Sequence, residues 1–318
     1  MTDQSPPSSD EDLVFICGAL RSGTTLLRLM VNAHPALSNP GEMDFLFEPP
    51  PMLDGRRDMA QYYHELSHNR VFNARGLKID ATLDFDDQVR DFIRQLRTRG
   101  KRVSINIHRN FDRIPAIFPK ARYVHLLRDP RDVANSSIGM GWAGNVYHGV
   151  EHWIASEKAF ARLAAMQPKP EILEMRNEEL IKNPAAELTR LCRFIGADFD
   201  PAMLEYPEDS TYSAPDPRLV EQWRRNMSKR DVALVEGRIG AMLAQRGYAP
   251  SGEAPITPGI FERFWLKQQN RAGRIADSVK RNGLGLAALE ILSRPLPFSG
   301  LKEHVRKRIG QKALKYLK

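Results

Sequence analysis

Only two cysteines, Cys17 and Cys192, occur in the 318 residues. Neither sits in a metal-ligand spacing, and two lone thiols cannot make a disulfide framework. Both read as structural thiols in a reducing compartment, so a cytoplasmic location is expected. Long apolar runs are missing too. None approaches the roughly 20 residues of a membrane-spanning helix. The opening MTDQSPPSSDEDL lacks the apolar stretch of a signal peptide and reads as a disordered tail. Acidic residues are scarce at the other end. Residues 251–318 hold 14 Lys/Arg against 5 Asp/Glu, a net of +9 in a chain of net +8. The rest is close to neutral, which removes most of the support for a general nucleic-acid-binding protein.

What is present begins at residues 14–31, VFICGALRSGTTLLRLMV. Val14 to Cys17 suit a buried strand, and Leu26, Leu27, Met30 and Val31 recur at helical spacing. Gly18 to Thr25 form the loop between them. A strand, a glycine-containing loop and a helix N-terminus together make an anion cradle, because the first helical N–H groups lack partners and the helix dipole favours negative charge there. Gly18 and Gly23 are expected to let the backbone approach a phosphate. Ser22, Thr24 and Thr25 add hydroxyls, and Arg21 adds charge-assisted donors. The spacing nearly matches the triphosphatase loop G-x-x-x-x-G-K-[ST], but Thr24 stands at the lysine position. That lysine reaches the β- and γ-phosphates, so a smaller 5′ anion is expected here than a triphosphate with magnesium.

The element order is mixed α/β. Residues 86–99 read as an amphipathic helix ending at Gly100. Residues 103–107 alternate as a strand, 122–127 form a second strand candidate and 171–175 a third. Helices are expected over 151–166, over 184–195 with Pro184 in the first turn and Gly196 past the end, and over 231–246. Strands alternating with helices imply a mostly parallel sheet covered on both faces. Residues 1–12 read as a tail, 13–250 as one α/β domain and 251–318 as a basic, mostly helical extension, with a linker near 249–258.

A second anion site is expected at residues 121–137, ARYVHLLRDPRDVANSS. Arg128 closes the predicted strand, where ligands of open α/β sheets bind. Arg128 and Arg131 offer forked donors, and Ser136, eight residues after Arg128, could return a hydroxyl to the same anion. Asp129 and Asp132 suit local arginine partners or helix-start residues better than catalysis.

Together the two motifs resemble the sulfotransferases that use 3′-phosphoadenosine 5′-phosphosulfate (PAPS, leaving as PAP). The similarity is greatest to the branch of soluble bacterial sulfotransferases and protein-tyrosine sulfotransferases, and it runs from about Leu13 to Tyr248. The resemblance implies a P-loop-like three-layer fold without a catalytic metal. It implies that Arg21, Ser22, Gly23, Thr24 and Thr25 hold the 5′-phosphosulfate, and that Arg128 and Ser136 hold the 3′-phosphate. It places a catalytic glutamate at Glu42, with Asp44 on the same face if the segment is extended. His108, at the end of a predicted strand, is the second candidate for the base. The lysine that relatives carry near residue 108 is missing, so His108 or Arg109 would stand in for it. Asn177 replaces a tyrosine that relatives carry near the nucleotide.

The acceptor is a hydroxyl or amine of a small molecule, glycan, lipid or peptide that the sequence does not identify. A P-loop small-molecule kinase and a nucleotide-binding protein without catalysis are the alternatives. Trp142, in GMGWAGN, suits either an acceptor or adenine wall or a packed turn, and Trp223 suits the core. The basic C-terminus suits either a solvated helical appendage or contact with a membrane surface or an acidic partner.

Overall fold

The computed structural model describes residues 13–206, 215–293 and 308. The tail predicted over 1–12 and much of the last 25 residues lie outside that range. Two compact units emerge, one from Met1–Arg128 with His152–Val220 and one from Asp129–Glu151 with Glu221–Lys318.

In the first unit the sheet comprises β1 (Leu13–Cys17), β2 (Leu37–Ser38), β5 (Arg102–Ile107), β6 (Arg122–Leu127) and β7 (Ile172–Arg176), in the order β2-β5-β1-β6-β7. Every pairing in it is parallel. A short antiparallel hairpin, β3 (Met52–Leu53) with β4 (Arg56–Arg57), stands apart. Parallel sheets need cover on both faces, and β1 shows how the sequence provides it. Leu13, Phe15 and Cys17 join one core cluster while Val14 and Ile16 join the other. The period-2 alternation of a strand thus splits one apolar run between two cores.

Three layers result. On one face pack α2 (Phe85–Leu96), through Val89, Phe92 and Ile93, and α4 (Glu151–Ala164), through Ala159, Phe160 and Leu163. On the other pack α1 (Thr24–Ala33), through Leu27, Met30 and Val31, and α6 (Pro184–Ile195), through Leu188, Leu191 and Ile195. Each fully buried Val, Leu, Ile, Phe or Met among them contributes about 1.5–3 kcal/mol of transfer free energy. The parallel three-layer fold expected from the sequence is the fold observed.

The order of strands matters for function. β5 lies on one side of β1 and β6 on the other. The carboxyl end of β1 is therefore a topological switch point, where a crevice opens between diverging connections. Gly18 follows β1, His108 follows β5 and Arg128 follows β6.

The second unit holds α3 (Pro130–Gly139), α7 (Lys229–Ile239), α8 (Ile260–Asn282) and α9 (Leu284–Ser293). The helix predicted over 231–246 is two helices. α7 stops at Gly240, whose φ of 59° leaves the helical region, and Met242–Gln245 adds a single turn. The stretch 249–258, expected as a linker, is bound to α7. Ile256 N–H donates to the Ala233 carbonyl at 2.9 Å. A Cβ on Gly237 would lie 2.1 Å from the Ile256 carbonyl oxygen.

Candidate active site

The loop between β1 and α1 is bent by two left-handed residues, Arg21 at φ 73° and Gly23 at φ 93°. At Gly23 glycine is required twice over, since a Cβ would also fall 1.9 Å from Asn177 Oδ1. Asn177, at the first turn of α5 (Asn177–Lys182), is buried and braces the loop. Gly18 is required for packing: a Cβ there would meet the Leu126 carbonyl oxygen at 2.6 Å. Leu27 N–H donates to the Gly23 carbonyl at 3.1 Å, so the N–H groups of Thr24, Thr25 and Leu26 precede the helical ladder. Ser22 is 1% exposed, and its hydroxyl has no hydrogen-bond partner among the described residues. A buried hydroxyl left without a partner costs free energy unless a ligand supplies one.

α4 supports this loop from outside. His152 Nε2 lies 3.2 Å from the Leu20 carbonyl oxygen. Trp153 Nε1–H donates to the Arg128 carbonyl at 3.1 Å. Arg128 Nη1–H in turn donates to the Arg21 carbonyl at 2.9 Å. The ends of β1 and β6 are thereby tied, and Arg128 stands beside the loop.

The β5 side of the crevice carries His108, buried between three groups. Asp44 Oδ1 accepts from its backbone N–H at 2.7 Å, and Asp44 Oδ2 lies 3.1 Å from Nδ1. Thr24 Oγ1 lies 3.2 Å from Nε2. Glu42 Oε1 stands 4.0 Å from the same nitrogen, with its side chain 48% exposed. Burial alone would raise the Asp44 carboxyl. The hydrogen bonds and charge of His108, with the charge of Arg109, outweigh it and hold the group below its ordinary value. An ionised carboxylate only accepts, so Nδ1 carries a proton and Nε2 faces the Thr24 hydroxyl. Cys17, at the end of β1, is pushed up by burial and by the Asp44 charge, and stays an inert thiol.

Glu42 pairs with Asn106 in an isolated parallel bridge. Asn106 also donates from Nδ2 to the Thr24 carbonyl at 3.0 Å and accepts from Asn39 at 2.9 Å. The segment is not extended at Asp44, so the condition for a face shared with Glu42 is not met. Asp44 opens a 3₁₀ turn, Asp44–Phe47, and reaches His108 from there. Arg109 is ion-paired with Glu48 and lies 3.7 Å from Asp44.

The predicted site residues therefore separate as follows. Arg21 to Thr25, Glu42, His108 and Arg128 lie at the carboxyl edge of one sheet. Ser136 lies half-buried on α3, in the second unit. Arg131, proposed from sequence as a phosphate fork, is committed elsewhere. It is buried, 2.7 Å from Asp129 and 2.7 Å from Glu236, with its guanidinium 3.7 Å from the Trp223 ring centroid. Asp129 caps α3 by accepting from Arg131 N–H, and Asp132 accepts from Trp223 N–H at 2.7 Å. The residues that sequence reasoning missed are Asp44 as the partner of His108 and Asn177 as the support of Gly23.

A family model described as the sulfotransferase family matches residues 13–201. The chain belongs to the sulfotransferase family. Nodulation protein NoeE of Sinorhizobium fredii is similar at 24% identity over 296 residues, covering 79% of this chain and 69% of that protein. Protein-tyrosine sulfotransferase A of Caenorhabditis elegans is 23% identical over 270 residues, covering 76% and 68%. The sulfotransferase domain from the curacin biosynthetic pathway shares the fold with a TM-score of 0.55 at 19% identity, over 74% of this chain and 97% of that one. The sulfotransferase domain of a Synechococcus olefin synthase gives 0.53 at 22% identity, over 74% and 98%. Family membership makes this sulfotransferase an enzyme of sulfuryl transfer and sets aside the small-molecule kinase reading. No described helix is long and apolar enough to cross a membrane.

Proposed function

We propose that the chain moves a sulfuryl group from PAPS to a hydroxyl or amine of an acceptor by in-line displacement. The observation that carries a ligand at this loop is Ser22, a buried hydroxyl without a partner among the described residues inside a helix-opening loop, and the family supports PAPS as that ligand. With Arg21, Gly23, Thr24 and Thr25 it would hold the 5′ end of the donor through hydroxyl, N–H and guanidinium groups. Arg128 and Ser136 are assigned to the 3′-phosphate on the R-D-P-R-D motif and its eight-residue spacing. The bound donor supplies an activated sulfur whose bridging oxygen leaves with PAP.

The remaining work falls to the protein. Arg21 offsets the charge that grows on the leaving oxygen. Glu42, half-exposed beside His108, accepts the acceptor's proton. His108 is held in place by Asp44 and steadies Thr24 at the start of α1. His108 as the base is the second reading, favoured by its enclosure between Asp44 and Glu42. A cytoplasmic location accords with the two buried free thiols.

Transfer of labelled sulfate from PAPS into extract tests the proposal, followed by mass spectrometry of the product. Wild type should label a product, and Glu42→Ala should not, while both bind PAP. Binding of PAP with no transfer to any acceptor would leave a nucleotide-binding protein without catalysis.

A further inference from the structure

One side of α8 is fixed within the second unit. Leu266 is buried, and its carbonyl accepts from Asn145 Nδ2–H at 2.7 Å. Asn270 Oδ1 accepts from Gly144 N–H at 2.7 Å, and a Cβ on Gly273 would fall 2.5 Å from the Gly144 Cα. Arg281 donates to the Gly139 carbonyl at 2.8 Å. Residues 266, 270, 273 and 277 follow the spacing of one helix face. Gly141 and Gly144 of GMGWAGN, where a Cβ would meet Asp277 and Asn270, thus serve helix docking.

The opposite face is apolar and bare. Ile260 is 76% exposed, Phe261 86%, Phe264 54%, Trp265 69% and Ile275 43%. On a helix these positions form one stripe, with the aromatics gathered at its N-terminal end. Beside the stripe runs a basic row. Arg263, Lys267, Arg271 and Arg274 recur at spacings of four, four and three, and all are exposed. The two acids of α8 are already engaged: Glu262 pairs with Arg230, and Asp277 with Arg281 at 2.7 Å. The row is therefore not neutralised by its own helix. In sequence, residues 294–318 add eight Lys/Arg and one Glu.

We propose that this face of α8 rests on an anionic lipid surface. An apolar stripe with aromatics and a flanking basic row is what in-plane membrane helices present to headgroups and acyl chains. Charge decides between this occupant and a second copy of the chain. Self-association through the stripe would bring like-charged rows together, whereas anionic headgroups complement them. The inference stands independently of which sulfuryl donor or acceptor the sheet-edge site takes.

The test is sedimentation of the full chain with vesicles of phosphatidylcholine, alone or mixed with phosphatidylglycerol. About tenfold more protein should sediment with the anionic vesicles, and salt should remove the excess. Tryptophan emission should shift to the blue on binding in wild type but not in Trp265→Phe. Phe261→Ser with Trp265→Ser, and separately Arg263→Glu with Lys267→Glu, should each abolish binding. Both pairs are exposed, so unchanged melting and unchanged PAP binding would show that the fold persists. Equal sedimentation with both vesicle types, or none with either, overturns the proposal. So does a lipid-free dimer that Phe261→Ser with Trp265→Ser dissociates.

Discussion

Asp44 holds His108 at two points, accepting from its backbone N–H at 2.7 Å and meeting ring Nδ1 at 3.1 Å. A carboxylate that grips both ring and backbone fixes the tautomer and the position of the ring together. Nε2 is thereby directed at Thr24 and towards Glu42.

Asp44→Asn should lower turnover by at least about tenfold, as loss of an imidazole-orienting carboxylate does elsewhere. Affinity for PAP should change little. The pH dependence of stability gives a second readout. The folded-state value of Asp44 lies below its ordinary 3.8. Its stabilising contribution is therefore complete above about pH 4 and is lost as pH falls through the lowered value. The gap in melting temperature between wild type and Asp44→Asn should be widest near neutrality and close in acid.

Glu42→Ala should reduce kcat by about 10²- to 10⁴-fold, the range for removal of a general base. Its side chain is half-exposed, so melting temperature should hold. Calorimetric titration with PAP should give wild-type affinity. A fall in affinity that matches the fall in kcat would assign Glu42 to binding instead.

Ser22→Ala separates a ligand group from a structural one. The hydroxyl is buried and unpartnered among the described residues, so its removal should leave melting unchanged or slightly raised. PAP affinity should drop by about tenfold or more, the loss of one hydrogen bond to a charged group. A destabilised variant with unchanged affinity would contradict this role.

Gly23→Ala should destabilise the fold, since φ 93° alone costs an L-residue about 1–2 kcal/mol and the methyl group meets Asn177. Adding Asn177→Ala should recover the steric part and leave the backbone part. Urea unfolding of the two single variants and the double variant measures that coupling.

Arg131 belongs to the fold. Glu236→Gln should lower the melting temperature, because it removes one of the two carboxylates paired with the buried Arg131 and leaves only Asp129. PAP affinity measured at a temperature where the variant is folded should be unchanged.

Much of the scaffold was legible because it rests on local rules. The apolar runs of β1, β5 and β6 predict buried strands, and Pro184 and Gly196 bracket α6 as observed, with Gly196 at φ 82°. α2 was harder at its end. Gly100 looks like its stop, but the chain leaves the helix at Arg97, where ψ is 133°. Gly240 does not read as a breaker in the sequence, because helical periodicity continues past it.

The site was legible in part. The anion loop and Arg128 follow from motif spacing, which is local. The link from Asp44 to His108 spans 64 residues and depends on a 3₁₀ turn that no short pattern announces. Arg131 reads as a phosphate fork in the sequence because its partner Glu236 lies 105 residues away. Asn177 looked like a lost contact, and only its packing against Gly23 reveals its use.

The most direct test is thermal melting of the full chain with PAP against melting with ATP and magnesium. A ligand that binds only the folded state raises the melting temperature by mass action. The predicted result is a concentration-dependent rise with PAP, reduced in Ser22→Ala, and little or none with ATP and magnesium. A rise with ATP and magnesium alone would contradict the assignment of this loop to a 3′-phosphorylated sulfuryl donor.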